Sequence, residues 1–315
     1  MHTKQLIKPT ITLGMIALVA YSVSFEKLIQ TLREIELSTV VIVVLGYGVG
    51  QLISSVKWWL IARSGGIDVS YSSALKAYFI GMFVNCFGLG LGTVGGDVAR
   101  GVLLSKGLPK KTEGIASVVA DRIHGLGILS LVALLGSLIF QTGRVPSALI
   151  IALVGIVVCI MGVWFFTPQV IKLIPDSVGI KNKLQQAAKL FPRDKGTLLL
   201  ISAISLIFHL IQVSLHAVMA YGIGATLPFT ILFVIIPMVN IASSLPISWN
   251  GLGVRENSYM FFLSSAPAIL TPEQATAFGA IWLLAVTFTS LIGGFVAILS
   301  GDLKFLKRTE MAPAT

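Results

Sequence analysis

Two glycine-containing stretches, residues 85–100 and 240–255, interrupt apolar segments of this sequence and constrain its fold more than any other feature. Both place an asparagine first, a glycine twelfth and an arginine sixteenth. These shared residues are Asn85, Gly96 and Arg100 in the first stretch and Asn240, Gly251 and Arg255 in the second. Irregular backbone inside a membrane is tolerated only where protein or a water-filled cavity satisfies its polar groups. We therefore predict that the two stretches line one intramembrane site.

Composition places the chain in a membrane. Hydrophobic residues make up 55% of the 315 residues, charged residues 11%, and the mean hydropathy is +0.91, whereas soluble domains carry about 25% charged residues. The net charge of +10 does not indicate a nucleic-acid partner, because the basic residues lie between apolar segments, as the positive-inside rule expects. We predict an all-α, polytopic integral membrane protein that forms a single membrane domain over residues 1–315.

Six apolar segments are predicted to cross the membrane: residues 9–25, 39–62, 113–140, 147–166, 196–222 and 272–300. Trp58 and Trp59, near the end of the second, are interpreted as interfacial aromatics. Residues 74–105 and 229–263 are predicted to be re-entrant broken hairpins, since their return arms are too short to span. A hydropathy scan that scores each longer hairpin arm would count eight spans. The basic residues 167–195 are either an amphipathic surface helix or a solvated connector.

The two broken stretches are offset by 155 positions (85 to 240), and the same offset relates other spans. Pseudo-repeat 1 covers about residues 1–140 and pseudo-repeat 2 about residues 147–303. Three crossings in each half would make the repeat inverted, an architecture whose substrate site lies near the midplane. If both hairpins are re-entrant and the N-terminus is cytoplasmic, the loop lysines and arginines on the outer side are only Lys27, Arg33 and Arg144. By the positive-inside rule, this predicts cytoplasmic N- and C-termini in a prokaryotic inner membrane.

Ionisable residues within apolar segments define the candidate site: Asp97, Arg100, Asp121, Arg122, His124, Arg255 and Glu256. Each charge costs about 2.5–3.5 kcal/mol at a helix centre on insertion scales. One interpretation is that these residues pair with one another. Asp97 and Arg100 have the spacing of an intrahelical pair, and Asp121 and Glu256 would each pair with another arginine. The other is that the arginines bind an anionic ligand, since guanidinium matches phosphate in a bidentate way.

Backbone groups and amides complete the predicted site. Helix starts at Gly96 and at Gly251–Gly253 would direct N–H donors towards the same anion. Asn85, Asn240 and Asn250 would cap the broken helices or contact a headgroup. His209 and His216 are interpreted as core residues rather than metal ligands. The sequence has no Walker loop, dinucleotide fingerprint, zinc spacing or nucleophile elbow, so no cofactor, metal or catalytic residue is expected.

These motifs resemble those of the lysylphosphatidylglycerol synthase/flippase transmembrane-domain family. The matching elements are GGDVAR at 95–100, the basic loop that follows, ASVVADRIHGL at 116–126, and the Pro-x-x-x-x-Gly-x-Gly-x-Arg-Glu pattern at 246–256. The resemblance implies a bacterial or archaeal membrane protein that moves lipid between leaflets, with the charged motif residues in a central cavity. Bifunctional members carry a soluble aminoacyl-transfer domain after the membrane part. The sequence ends at Thr315, so synthase activity is not expected.

The leading prediction is therefore a non-enzymatic, flippase-like transporter of an anionic phospholipid or lipid-linked headgroup, with membrane lipid as substrate and partner. Two alternatives stay open. One is a membrane enzyme, or its accessory, acting on a polyprenyl-phosphate or glycolipid. The other is a scaffold for enzymes of lipid synthesis.

Overall fold

The computed structural model describes residues 2–87, 92–140, 145–175, 179, 181–245, 247–265 and 268–302. These residues form helices and connecting turns, without strands. In chain order the helices are α1 His2–Ser22, α2 Phe25–Glu34, α3 Leu37–Ser64, α4 Tyr71–Phe87, α5 Gly92–Leu104, α6 Lys111–Phe140, α7 Ser147–Lys172, α8 Lys181–Ala188, α9 Lys195–Gly222, α10 Phe229–Ser244, α11 Val254–Tyr259 and α12 Pro272–Ser300. A 3₁₀ turn, Trp249–Gly251, precedes α11, and a π turn, Met260–Ser264, follows it.

Five of the described helices, α3, α6, α7, α9 and α12, are long and apolar enough to cross a membrane, judged by length and composition. Pro9–Ser22 and Phe25–Glu34 would add a sixth span if counted together, but they meet at an angle of 87°. The predicted all-helical integral membrane protein is thus confirmed. The inverted repeat, the eight-span count and the re-entrant course of the hairpins stay predictions.

The described chain divides into two compact units. The first comprises Met1–Gln51, His124–Met161 and Ala203–Val286, and the second comprises Leu52–Ile123, Gly162–Ser202 and Thr287–Thr315. The first unit contains α10 and α11, the arms of the predicted second hairpin. The second unit contains α4 and α5, the arms of the predicted first hairpin.

Close helix contacts hold the first unit together. A Cβ added at Gly46 of α3 would lie 2.5 Å from the Leu215 side chain of α9. At Gly222 of α9, a Cβ would lie 2.4 Å from Thr39 of α3. Tyr47 packs edge-on against Trp282 of α12, with ring centroids 5.2 Å apart. Small residues allow helix backbones to approach in this way when no hydrophobic effect drives helices together in lipid.

The second unit has a buried core of aromatic and aliphatic side chains that includes Trp58, Ile61, Ile80, Leu190 and Ile201. Its helices also meet at glycines. A Cβ at Gly293 of α12 would lie 1.9 Å from the Phe79 carbonyl oxygen of α4. In the basic segment, α8 forms as the surface-helix interpretation predicted, but Ala188 and Phe191 are buried in the protein. The Phe191 ring packs on Trp164 of α7.

Candidate functional site

Asp121 of α6 joins two cations inside the second unit. Its Oδ1 lies 3.0 Å from Lys57 Nζ, and its Oδ2 accepts a 3.0 Å hydrogen bond from Arg100 Nη2. Lys57 also donates to the Asp121 backbone oxygen at 3.3 Å. The three side chains are only 7–8% exposed. This ion triad therefore links α3, α5 and α6 in a low-dielectric interior, where charges must be paired.

Two aromatic rings complete the surroundings of Arg100. Its guanidinium carbon lies 4.5 Å from the Trp58 ring centroid and 5.0 Å from that of Tyr78. Trp58 is fully buried and donates from Nε1 to Ser117 Oγ at 3.0 Å, so the interfacial interpretation of Trp58 is wrong. Cation–π contact and ion pairing together immobilise Arg100.

Asp97 and Arg122 form a second, more open pair between α5 and α6. Arg122 donates from Nε to Asp97 Oδ2 at 2.9 Å and from Nη2 to Oδ1 at 3.0 Å. The Arg122 side chain is 50% exposed and that of Asp97 is 23% exposed. Asp97 and Arg100 thus each pair with α6, and the predicted intrahelical pairing between them is replaced by these interhelical bonds.

Close packing of α5 on α6 explains why Asp97 and Arg100 pair with residues of α6 rather than with each other. A Cβ at Gly101 would lie 2.7 Å from Ile115 Cα, and a Cβ at Gly114 would lie 2.3 Å from the Gly101 carbonyl oxygen. The two backbones are therefore in contact, which brings the carboxylates and guanidinium groups of facing turns within bonding distance. The pairs contain three cations (Lys57 with the two arginines) and two carboxylates, so one positive charge is in excess when all are ionised.

Asn85 connects the two arms of the first broken segment. Its Oδ1 accepts a hydrogen bond of 2.9 Å from the Gly96 N–H. A Cβ at Gly96 would lie 2.1 Å from the Gly81 carbonyl oxygen, and one at Gly81 would lie 2.9 Å from Arg100 Cβ. These contacts make α4 and α5 antiparallel. They also correct a prediction: α5 begins at Gly92 rather than Gly96, and the Gly96 N–H is bonded to Asn85 instead of facing an anion.

Arg255 occupies a different environment in the first unit. It is 6% exposed and donates from Nη2 to the Asn250 carbonyl oxygen at 3.2 Å. Its Nε and Nη1 are buried without a hydrogen-bond partner among the described residues. The ion pairs found in the described part of the chain do not include Arg255. The three N–H groups on Nε and Nη1 of this buried guanidinium thus have no acceptor among the described residues.

Local backbone geometry places the Asn250 carbonyl oxygen for this bond. Asn250 has a φ of 50°, in the left-handed region that asparagine tolerates better than most residues. Gly253, with a φ of 78°, completes the turn into α11. Glu256 Oε2 accepts the Gly253 N–H at 2.6 Å. Glu256 therefore caps α11, and the predicted pairing of Glu256 with an arginine is not found among the described residues. The Gly253 N–H is bonded to Glu256 and is unavailable to an anion.

A polar network crosses the interior beside α11. Asn240 Nδ2 donates to Gln212 Oε1 at 2.6 Å. His216 contacts the Gln212 carbonyl oxygen through Nδ1 at 2.7 Å and the Tyr259 hydroxyl through Nε2 at 2.6 Å. Because a carbonyl only accepts, Nδ1 carries a proton, and in neutral His216 the Tyr259 hydroxyl donates to Nε2. Asn240 thus connects α10 to α9 rather than capping a helix. His124 is also buried in this unit.

The family model described as the lysylphosphatidylglycerol synthase TM region matches residues 5–294. That range includes the ion triad around Asp121, the Asp97–Arg122 pair and Arg255. The chain belongs to this family. A further relative is the UPF0104 membrane protein PH1989 of Pyrococcus horikoshii, 23% identical over 168 residues. That match covers 53% of this chain and 47% of the relative, so the chain spans about half the length of the curated relative it matches.

Within the lysylphosphatidylglycerol synthase transmembrane region, sequence reasoning missed Lys57 and the Gln212–His216–Tyr259 network. A single lysine inside the apolar residues 37–64 was a usable signal, because Asp121 needs a cationic partner at membrane depth. No group of three or more potential metal ligands occurs among the described histidines, cysteines and carboxylates. A cavity shared by the two hairpins stays a prediction.

Proposed function

We propose that this protein moves an anionic phospholipid or lipid-linked headgroup between membrane leaflets, and that Arg255 binds the headgroup phosphate. The observation that carries the proposal is the burial of Arg255 without a carboxylate partner in the described part of the chain. Family membership supports the lipid context.

The energetics of Arg255 favour an anionic ligand. A buried charge without a partner destabilises a fold by several kcal/mol, and the cost persists until a counter-charge arrives. A phosphate can accept the unused N–H donors of Arg255 through charge-assisted hydrogen bonds. Hydrogen bonds to charged groups contribute about 1.5–3 kcal/mol each. The ligand would therefore stabilise a conformation that the apo protein holds only at a cost.

The charged residues of the second unit have different proposed roles. Arg122 is half exposed and, with the excess positive charge of its cluster, attracts the anion. Asp97 orients Arg122 through both carboxylate oxygens. Arg100 and Asp121, which the sequence grouped with the substrate-binding residues, hold the helices in place. Asn85 also contributes structurally, through the α4–α5 contact.

Translocation of a labelled phosphatidylglycerol in proteoliposomes tests the assignment. Arg255→Gln should slow translocation by about 10- to 100-fold, since it removes charged hydrogen bonds of about 1.5–3 kcal/mol. Arg255→Lys should retain part of the rate, because lysine keeps the charge without the planar donor set. Arg63→Gln is the matched control, since Arg63 is exposed at the end of α3.

The fold itself should tolerate the loss of Arg255. Arg255→Gln removes an unpaired buried charge, so thermal stability should be unchanged or higher. A folded Arg255→Gln protein that moves lipid at the parent rate would refute the role of Arg255. A covalent change in the lipid, detected by mass spectrometry, would instead favour the enzyme hypothesis.

The proposal also includes a prokaryotic cytoplasmic membrane with both termini in the cytoplasm, because the basic loops then lie inside. Enzymes of lipid synthesis are proposed partners, since they would supply the transported lipid. Cysteine accessibility of Lys4→Cys and Lys304→Cys to a membrane-impermeant reagent in intact cells tests the orientation. Labelling of either position without permeabilisation would overturn it.

A further inference from the structure

A basic pocket lies at the carboxyl end of α7, and its described lining contains none of the candidate site residues named from the sequence. It has a volume of about 220 Å³ and is lined by three cations, Lys172, Lys189 and Arg193, together with Gln185 and an apolar floor. The described lining residues include no carboxylate. In the described part of the chain, ion pairs do not involve these three cations. Three positive charges thus line one concave surface, and none of them forms an ion pair with a described carboxylate.

The scaffold of the pocket is built by reciprocal hydrogen bonds. Trp164 of α7 donates from Nε1 to the Pro192 carbonyl oxygen at 3.0 Å. Arg193 donates from Nη2 to the Trp164 carbonyl oxygen at 3.1 Å. The Trp164 and Phe191 rings pack edge-on with centroids 4.9 Å apart. The backbone that carries Lys189 and Arg193 is therefore held against α7, and the Arg193 guanidinium is fixed before any ligand binds.

The described carboxylate nearest to Arg193 in the sequence already accepts a hydrogen bond. Asp194 follows Arg193, but its Oδ1 accepts the Thr197 N–H at 2.7 Å and so caps α9. That bond lowers the pKa of Asp194 below its usual value. A phosphate group, which has several acceptor oxygens and a negative charge, is the ligand chemistry that this donor set fits.

The location of the pocket indicates a lipid phosphate rather than a soluble one. Lys172 ends α7, which is a candidate membrane span, so the pocket lies at the depth of lipid headgroups. Apolar side chains beside it are strongly exposed, with Phe166 62%, Val170 57% and Leu173 82% accessible. These side chains can contact acyl chains while the cations contact the phosphate. Basic pockets of this kind bind anionic headgroups at membrane surfaces.

We propose that this pocket binds the phosphate of an anionic phospholipid in the leaflet that borders the carboxyl end of α7. Arg255 is not among the described lining residues of this pocket, and occupancy of the pocket does not require transport. An anionic lipid held here would bridge α7 and residues 189–193.

Lipid titration of the full chain, followed by native mass spectrometry in an uncharged detergent, tests the proposal. The test variant is Lys172→Gln/Lys189→Gln, which leaves the Arg193–Trp164 bond intact. The control is Lys183→Gln/Lys195→Gln, which removes two positive charges from the same segment but outside the pocket. Both pairs are exposed, so both variants should elute and melt like the parent.

Phosphatidylglycerol affinity should fall about 30-fold in the test variant. Each lysine near an anionic lipid contributes ~1 kcal/mol to binding, two lysines are removed, and each 1.4 kcal/mol changes the affinity tenfold. The control should lose less than about threefold. The same contrast is expected in an Arg255→Gln background, which separates this site from the proposed transport site. Equal losses in both variants would indicate diffuse charge, and no loss would indicate no site. Either result overturns the proposal, as would inorganic phosphate that binds as tightly as phosphatidylglycerol.

Discussion

Replacing Asp121 by asparagine should destabilise the protein strongly. The substitution keeps the shape of the side chain and removes the charge that compensates both Lys57 and Arg100, each 3.0 Å away. All three side chains are at most 8% exposed, so water cannot replace the carboxylate. Removing one partner from a buried ion pair costs about 3–5 kcal/mol, and here two cations are left behind. A decrease in Tm of roughly 6–20 °C follows, at about 2–4 °C per kcal/mol.

The more exposed Asp97–Arg122 pair, which also joins α5 to α6, supplies the control for Asp121→Asn. Asp97→Asn is the same chemical change, but Asp97 faces an Arg122 side chain that is 50% exposed. A pair exposed to water contributes about 0–1 kcal/mol, so the Tm of Asp97→Asn should fall less than that of Asp121→Asn. Thermal unfolding of both variants in one detergent gives the comparison. Adding Lys57→Met to Asp121→Asn should restore part of the lost stability. Equal Tm values for Asp121→Asn and Asp97→Asn would refute the argument.

Two further predictions concern helix packing and acid stability. Gly96→Ala should destabilise the protein by about 1–3 kcal/mol in denaturant unfolding, which is the usual cost of overpacking. The added Cβ would lie 2.1 Å from a carbonyl oxygen of α4. An unchanged unfolding midpoint would contradict the α4–α5 contact. Burial raises the pKa of Asp302, but hydrogen bonds from Lys106, Ser300 and Lys76 outweigh it and lower the pKa to about 2. An aspartate in an unfolded chain has a pKa of about 4. The stability that ionised Asp302 contributes to the fold should therefore be complete above about pH 4 and be lost as the pH falls towards 2. The stability difference between the parent and Asp302→Asn should narrow over that range, and a constant difference would contradict this.

The long helices could be predicted from the sequence because an apolar run of sufficient length has few alternatives in a membrane. The predicted spans 196–222 and 272–300 correspond to α9, Lys195–Gly222, and α12, Pro272–Ser300. In lipid, only a helix satisfies all its backbone groups within one such segment. The bend after Ser22 was not predicted, and the helix Phe25–Glu34 follows it at 87°.

Partner choice among the charged residues could not be predicted, because it depends on which backbones approach each other. The spacing of Asp97 and Arg100 permits a bond within α5. The contact of Gly101 with Gly114 places both residues opposite α6 instead. Nothing in the spacing of residues 97 and 100 reports that contact.

Backbone donors were also assigned too simply. The N–H groups of Gly96 and Gly253 were predicted to face an anion because they lie at helix-breaking positions. Asn85 and Glu256 accept those N–H groups instead. Acceptors placed elsewhere in the chain satisfy them first, since a buried N–H without a partner is costly. Arg255 is the contrasting case, because two of its nitrogens have no such acceptor among the described residues.

Lipid translocation by the parent protein tests the central claim most directly. Purified protein would be reconstituted into phosphatidylcholine vesicles that contain labelled phosphatidylglycerol, and outer-leaflet label would be quenched chemically, with and without an imposed proton gradient. We predict that label crosses between leaflets faster than in protein-free vesicles, and faster than labelled phosphatidylcholine does. Rates equal to those of protein-free vesicles under both conditions would contradict the account.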